Sequence, residues 1–205
     1  MSVKLNILTS SLICMKAIVA ITGASGIQYG VGLLSALRDA KVEISLILSE
    51  GSKVTMKQET NLKPQQLQRL ADYNYTEDDM TAPMASGSAR YDAMVIAPCS
   101  VKTLSSIATA YESNLITRAA MVQLKERKRL LLLIRETPLS VIHIEAMLRV
   151  AQAGAIVMPA SPGFYSRPKS IDDIVKFMVG RMMDELDLPN ELFSRWKGTT
   201  TAYRD

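Results

Sequence analysis

The sequence predicts an α/β protein built on a three-layer, doubly wound parallel sheet of the flavodoxin or Rossmann-like kind. Three observations carry this expectation. Short β-branched apolar runs recur along the chain, helical apolar patterns separate them, and small, hydroxyl or ionic residues follow the runs. The runs are Ala17 to Thr22, Val42 to Leu48, Met94 to Ala97, Leu130 to Ile134 and Ala155 to Met158, each short enough to be a strand buried on both faces. Between them Ile27, Val31, Leu34 and Leu37 repeat on one helical face, and Leu139, Ile142, Ala146 and Val150 on another. Strands alternating with helices pair in parallel through right-handed crossovers, which puts helices on both faces of the sheet. The stretch Asn61 to Arg90, with Pro64, Pro83 and the run ASGSARYD, has no regular pattern and reads as a long functional or interface insert.

A chain of 205 residues, 48% hydrophobic and 21% charged, can bury a full core in one domain. That domain is expected over 15–188. Residues 1–14 precede the pair Met15-Lys16 and read as an N-terminal extension, and 189–205 as a C-terminal tail whose Trp196 suits docking on a neighbouring subunit. Twelve methionines suggest more apolar surface than a monomer needs. The net charge of +4 favours anionic ligands, but the basic residues are not gathered with aromatics as at a nucleic-acid interface. Two cysteines and one histidine supply neither a disulfide framework nor a structural zinc site. No small-x-small cleavage site follows the first apolar run, and no stretch reaches the length of a membrane span. The expectation is a cytoplasmic, metal-free chain that binds neither nucleic acid nor membrane.

Ligands of open parallel sheets bind beyond the carboxyl ends of the strands, so the loops there are the candidate site. They are Gly23-Ala24-Ser25-Gly26, Leu48-Ser49-Glu50-Gly51, Pro98-Cys99-Ser100-Val101-Lys102-Thr103, Arg135-Glu136-Thr137-Pro138 and the segment from Pro159 to Pro168 with Tyr165 and Arg167. Small residues at the first loop let backbone amides approach an anion at a helix N-terminus. The loop lacks the dinucleotide GxGxxG and the P-loop GK[ST], so a tight strand-to-helix turn is its plain alternative. Pro138 suits the first turn of the next helix. Arg135 and Glu136 emerge directly from the buried run LLLLI and are expected at a pocket floor, with a surface ion pair as the alternative. Arg118, Lys125 and Arg127 lie on a helix where a solvated face is the alternative, which Arg127, Lys128 and Arg129 fit. Cys99 reads as a small buried residue rather than a nucleophile, His143 as an ordinary helix residue, and the methionines as core.

In this order, Gly23-Ala24-Ser25-Gly26 with Tyr29-Gly30, Ala85-Ser86-Gly87-Ser88, Pro98-Cys99-Ser100, Leu124-Lys125-Glu126-Arg127, Arg135-Glu136-Thr137-Pro138-Leu139 and Pro162-Gly163-Phe164-Tyr165 resemble the UbiX-type flavin prenyltransferases. The resemblance runs from about Met15 to Gly198. It implies a flavodoxin-like homododecamer that joins the dimethylallyl group of dimethylallyl monophosphate to N5 and then C6 of reduced FMN, without metal. The product it implies, prenylated FMN, is delivered to a partner UbiD-type decarboxylase. By resemblance Gly23, Ala24, Ser25, Ser49, Ser100, Val101, Lys102, Thr103, Arg118 and Arg135 hold FMN. Lys125, Tyr165 and Arg181 hold the substrate phosphate, Ser25 serves flavin N5, Glu136 handles phosphate and proton transfer, and Glu59 reaches a neighbour's site. Some relatives carry a tryptophan before the ASGS run, where this chain has Met80. No DDxxD pattern for magnesium diphosphate is present: Asp78-Asp79 and Asp172-Asp173 lack the third aspartate. Two other readings share the fold: an FMN-dependent decarboxylase of aromatic acids or cysteine peptides, and a non-catalytic FMN-binding protein.

Overall fold

Six strands make one parallel sheet in the order β3-β2-β1-β4-β5-β6: β1 (Lys16–Ile21), β2 (Glu43–Leu48), β3 (Tyr73–Thr76), β4 (Ala93–Cys99), β5 (Arg129–Ile134) and β6 (Ile156–Pro159). This computed structural model describes residues 15–196 and 198. The expected N-terminal extension and the rest of the tail lie outside the described residues.

The strands sort their side chains by the period of two that a pleated backbone imposes. Ala17, Val19 and Ile21 of β1 face a core shared with helices α1 (Ile27–Asp39) and α7 (Ile171–Glu185), and with Met56 and Leu67 of α2 (Glu50–Glu59) and α3 (Pro64–Gln68). Ile18 and Ala20 face a second core with α4 (Val101–Ala108), α5 (Leu115–Lys125) and α6 (Val141–Gln152). Two faces buried by two helical layers explain why β1, β2, β4 and β5 read as nearly unbroken apolar runs. The chain leaves β1 towards β2 and β3, then returns to β4 on the other side. The crevice between the carboxyl ends of β1 and β4 is therefore the switch point of the sheet.

The structure corrects the sequence reading in several places. β3, with sequence YNYT, was not expected: it is short, largely exposed and at the sheet edge, so no apolar run marks it. Pro98 and Cys99 belong to β4 rather than to the loop after it, with a shift in the β4–β5 register between Ile96 and Cys99. Pro138 is not in a helix; α6 begins at Val141 with Ser140 as its N-cap, and His143 completes that capping box. Leu139 precedes α6 and Ile142 points outward, 72% exposed, leaving only Ala146 and Val150 of the expected face buried. The helix is apolar around much of its girth, so periodicity alone does not choose the buried side. Arg127 terminates the α5 turn with φ 53° and Arg129 begins β5, so neither lies on the helix face. The described tail residues pack on their own subunit's α7: Phe193 lies against Gly180, and Asn190 donates to the Gly180 carbonyl at 3.2 Å.

Candidate active site

Three helices start at the switch-point crevice, and each start is capped by a side chain from the sequence immediately before it. Ser49 Oγ accepts from the Ser52 amide (3.0 Å) at α2, Ser100 Oγ from the Thr103 amide (3.3 Å) at α4, and Asn114 Oδ1 from the Thr117 amide (3.0 Å) at α5. Thr22 ties β1 to β4: its hydroxyl donates to the Pro98 carbonyl at 2.8 Å and accepts from the Ser100 amide at 2.8 Å. Between these helix ends is a cavity of about 270 Å³, lined among others by Gly23, Ser49, Ser100, Lys102, Thr103 and Ser113. Converging N-termini give it positive dipole ends, unpaired first-turn amides, hydroxyls and an ammonium, the set that a phosphate monoester requires. The backbones of Gly23 and Gly51 approach so closely that a Cβ on Gly23 would lie 3.1 Å from the Gly51 carbonyl carbon. The donors and the room fit the phosphate-bearing tail of FMN.

Glu77, which the sequence reading missed, closes this cavity. Its carboxylate accepts from the Glu50 amide at 2.7 Å and from Asn114 Nδ2 at 2.6 Å, while its own carbonyl accepts from the Leu115 amide at 2.7 Å. It thereby fixes the starts of α2 and α5 against the end of β3. Asn114 was legible as a cap from its spacing to Thr117. Glu77 carried no local signal, because its role depends on a strand that was itself unrecognised.

A second group forms beside the first. Gly26 has φ +99°, a left-handed conformation suited to glycine, and turns the chain into α1. No side chain of its own caps that helix; instead Glu59, the last residue of α2, accepts from the Gly26 and Ile27 amides at 2.9 and 3.1 Å. Burial opposes ionisation of Glu59, but hydrogen bonds from Ser25, Gly26 and Ile27, with the nearby Arg135 charge, outweigh it and hold its pKa below the ordinary carboxylate value. The carboxylate thus serves as the cap of its own subunit's α1. Arg135 Nε donates to the Ser25 carbonyl at 3.2 Å, so Ser25 is held from both sides. Arg135 forms no ion pair with Glu136 among the described residues; Glu136 accepts instead from the Thr137 amide at 2.9 Å.

The sign of the Glu59 effect is testable. A carboxyl whose folded pKa is depressed contributes stability above its unfolded pKa, and loses that contribution as pH falls through the folded value. Denaturation midpoints measured from neutral pH down to about pH 3 are expected to decline, and Glu59→Gln to flatten that decline. An unchanged slope would remove Glu59 as a contributor.

The remaining predicted residues lie apart within one subunit. Arg118 Nε donates to the Ala85 carbonyl at 2.9 Å and its Nη1 to Glu112 at 2.6 Å, fixing the ASGS loop over α5. Lys125, two turns further along α5, pairs with Glu126, and the ends of both side chains lie against Gly87. Tyr165 and Arg181 sit with α7 on the opposite face of the sheet. The Tyr165 ring meets Phe177 and Trp196 edge-on, with centroids 5.8 and 5.6 Å away. Arg181 is paired with Asp184 at 2.9 Å. Met80 is exposed. The structure therefore brings together Gly23, Ser49, Ser100, Lys102 and Thr103, and separately Ser25, Glu59 and Arg135. It does not join Lys125 to Tyr165 and Arg181 in a single chain.

Known proteins match this chain in sequence and fold. The Flavoprotein family model matches residues 8–183. The flavin prenyltransferase UbiX of Methanocaldococcus jannaschii is 47% identical over 182 residues, 89% of this chain and 98% of that protein. The crystal structure of AnUbiX (PadA1) with FMN and dimethylallyl pyrophosphate superposes with a TM-score of 0.89 at 46% identity, covering 91% of this chain and 99% of that one. A dodecameric FMN-dependent UbiX-like decarboxylase from Escherichia coli O157:H7 has a TM-score of 0.88 at 43% identity, covering 90% of this chain and all of that one. On sequence and fold, the chain belongs to the flavoprotein family, among the UbiX-type flavin prenyltransferases.

Proposed function

We propose that the chain transfers a dimethylallyl group from dimethylallyl monophosphate to reduced FMN, forming prenylated FMN for a UbiD-type decarboxylase. The observation that carries this reading is that its anion-binding groups fall into two sets. One is the three-helix cavity that fits the cofactor phosphate; the other, grouped by the resemblance and divided between the two faces of the sheet, is Lys125 with Tyr165 and Arg181, which lie outside it. A flavoprotein that only held FMN would need the first set alone. A relative of the same fold crystallised with both FMN and dimethylallyl pyrophosphate supports a prenyl-donor site beside the cofactor.

When bound, reduced FMN supplies the nucleophilic N5 and C6 of its flavin ring. The chain's residues handle the rest. Cleavage of the allylic C–O bond leaves the electron pair on the phosphate, whose charge Lys125, Tyr165 and Arg181 meet without a metal. Ser25, fixed by Arg135 and Glu59, would present its hydroxyl to the flavin edge, and Glu136, two residues past the end of β5, would take the proton given up at N5 and pass it to the departing phosphate. The Tyr165–Trp196 pair supplies aromatic surface for the allylic cation, which Met80 does not.

Because Lys125 is remote from Tyr165 and Arg181 in one subunit, the substrate site is completed between subunits of a homododecamer. The exposed apolar face of α6, formed by Val141, Ile142, Ile144 and Leu148, is surface that such an assembly would cover. The dodecameric relative supports this.

The test is anaerobic incubation with reduced FMN and dimethylallyl monophosphate, followed by mass measurement of the extracted flavin. A flavin heavier by one isoprenoid unit is expected. Unmodified flavin from folded, FMN-loaded protein would overturn the proposal. Direct decarboxylation is the second reading, favoured by the Escherichia coli O157:H7 relative, an FMN-dependent UbiX-like decarboxylase. Release of carbon dioxide from an aromatic acid by the FMN-loaded chain alone would support it.

A further inference from the structure

One carboxylate on α7 is shared by two guanidinium groups. Asp184, 16% exposed, accepts from Arg181 Nη1 at 2.9 Å. Arg195, from the tail, grips the same group at both oxygens, with Nη2 to Oδ1 at 2.7 Å and Nη1 to Oδ2 at 3.0 Å. Asn190 Nδ2 adds a bond to Oδ1 at 3.0 Å. The tail is held in place for this grip: Phe193 fills the space left by Gly180, where a Cβ would lie 2.5 Å from its ring, and the Arg195 guanidinium sits 5.2 Å from the Phe193 centroid.

The arrangement decides how much of Arg181 remains available. A guanidinium and a carboxylate at i and i+3 on a helix, left alone, are free to close into a two-point pair that uses the donor edge best suited to a phosphate. Arg195 already holds that two-point position, so Arg181 reaches Asp184 through one nitrogen, and its other terminal nitrogen lies 3.5 Å from Glu185. Each terminal nitrogen of Arg181 thus meets one carboxylate at a single point, and its Nε has no hydrogen bond among the described residues. It stands one turn after Phe177, the edge partner of Tyr165, while Trp196, next to Arg195, covers the other edge of that tyrosine.

We propose that Arg195 is a positioning residue for the leaving phosphate: by occupying Asp184 at both oxygens it keeps Arg181 free to bind the substrate beside Tyr165. This rests on the reading that Tyr165 and Arg181 hold that phosphate. Steady-state prenylation is measured on the full chain with dimethylallyl monophosphate varied at saturating reduced FMN. Arg195→Ala is expected to raise KM about tenfold, the effect of losing a charged hydrogen bond, with FMN affinity unchanged. Arg195→Lys restores part of the loss, because one ammonium cannot span both oxygens. The decisive variant is the double substitution Asp184→Asn, Arg195→Ala, which removes the competing carboxylate and returns KM towards wild type. A purely structural tail would make the double variant as poor as the single one, and that result overturns the proposal. So does an unchanged KM in Arg195→Ala, or in Arg195→Lys should the alanine variant fail to fold. A wild-type protein that binds FMN but prenylates nothing would overturn the underlying function, and this proposal with it.

Discussion

Glu136→Gln is expected to lower the prenylation rate by about 10²–10⁴-fold, the usual contribution of a positioned proton carrier, while FMN binds as tightly as to the wild type. The substitution keeps size and the oxygen that accepts from the Thr137 amide at 2.9 Å, and so preserves the local fold. It removes the ability to gain and lose a proton. Glu136 follows Arg135, whose side chain is anchored to the Ser25 carbonyl at 3.2 Å, so its backbone is held at the carboxyl end of the sheet. If it acts in the transition state, kcat and kcat/KM fall together; a rise in KM alone would mark it as a binding residue instead. Single-turnover rates with pre-reduced FMN separate these outcomes. A rate within twofold of wild type would remove Glu136 from the mechanism.

Gly30→Val is expected to cost about 3 kcal/mol or more, at the upper end of the range for overpacked cores. That lowers Tm by roughly 6–12 °C for a chain of this size. A Cβ on Gly30 would stand 2.5 Å from the Ala97 carbonyl oxygen and 2.7 Å from Ile21 Cδ1. Neither neighbour can move freely: Ala97 is inside the buried β4, and Ile21 closes β1. Relief would require α1 to lift from the sheet. Because the Gly26 turn and Ser25 lie at the start of α1, FMN affinity should fall along with Tm in thermal melts and flavin titrations. Wild-type stability in this variant would mean that the helix is not pressed against β4.

The elements legible in the sequence were those with a burial signal. β1, β2, β4 and β5 are covered on both sides, so their runs of Ile, Val and Leu stand out, and their helices supply the alternating pattern. β3 fails on the same logic, since YNYT sits on the edge and carries no apolar run. The loops that line the cavity stood out because Gly23, Ser49 and Ser100 lie at strand ends, where small residues and hydroxyls have a clear physical use. Glu77 was not, because its partners are a helix start 27 residues earlier and an N-cap 37 residues later. Local patterns also placed Pro138 in a helix and Ile142 in the core. Both errors arose where the contour of a helix, rather than its existence, was being inferred.

Cys99 ends β4 directly beneath the Ser100 loop, is completely buried, and burial pushes its thiol pKa far above the ordinary value. In an enzyme that releases an allylic electrophile, a thiolate would compete with the flavin for the prenyl group and end as a dead thioether. Packed under the Ser100 loop as a neutral, sealed side chain, this sulfur would take no part in that competition.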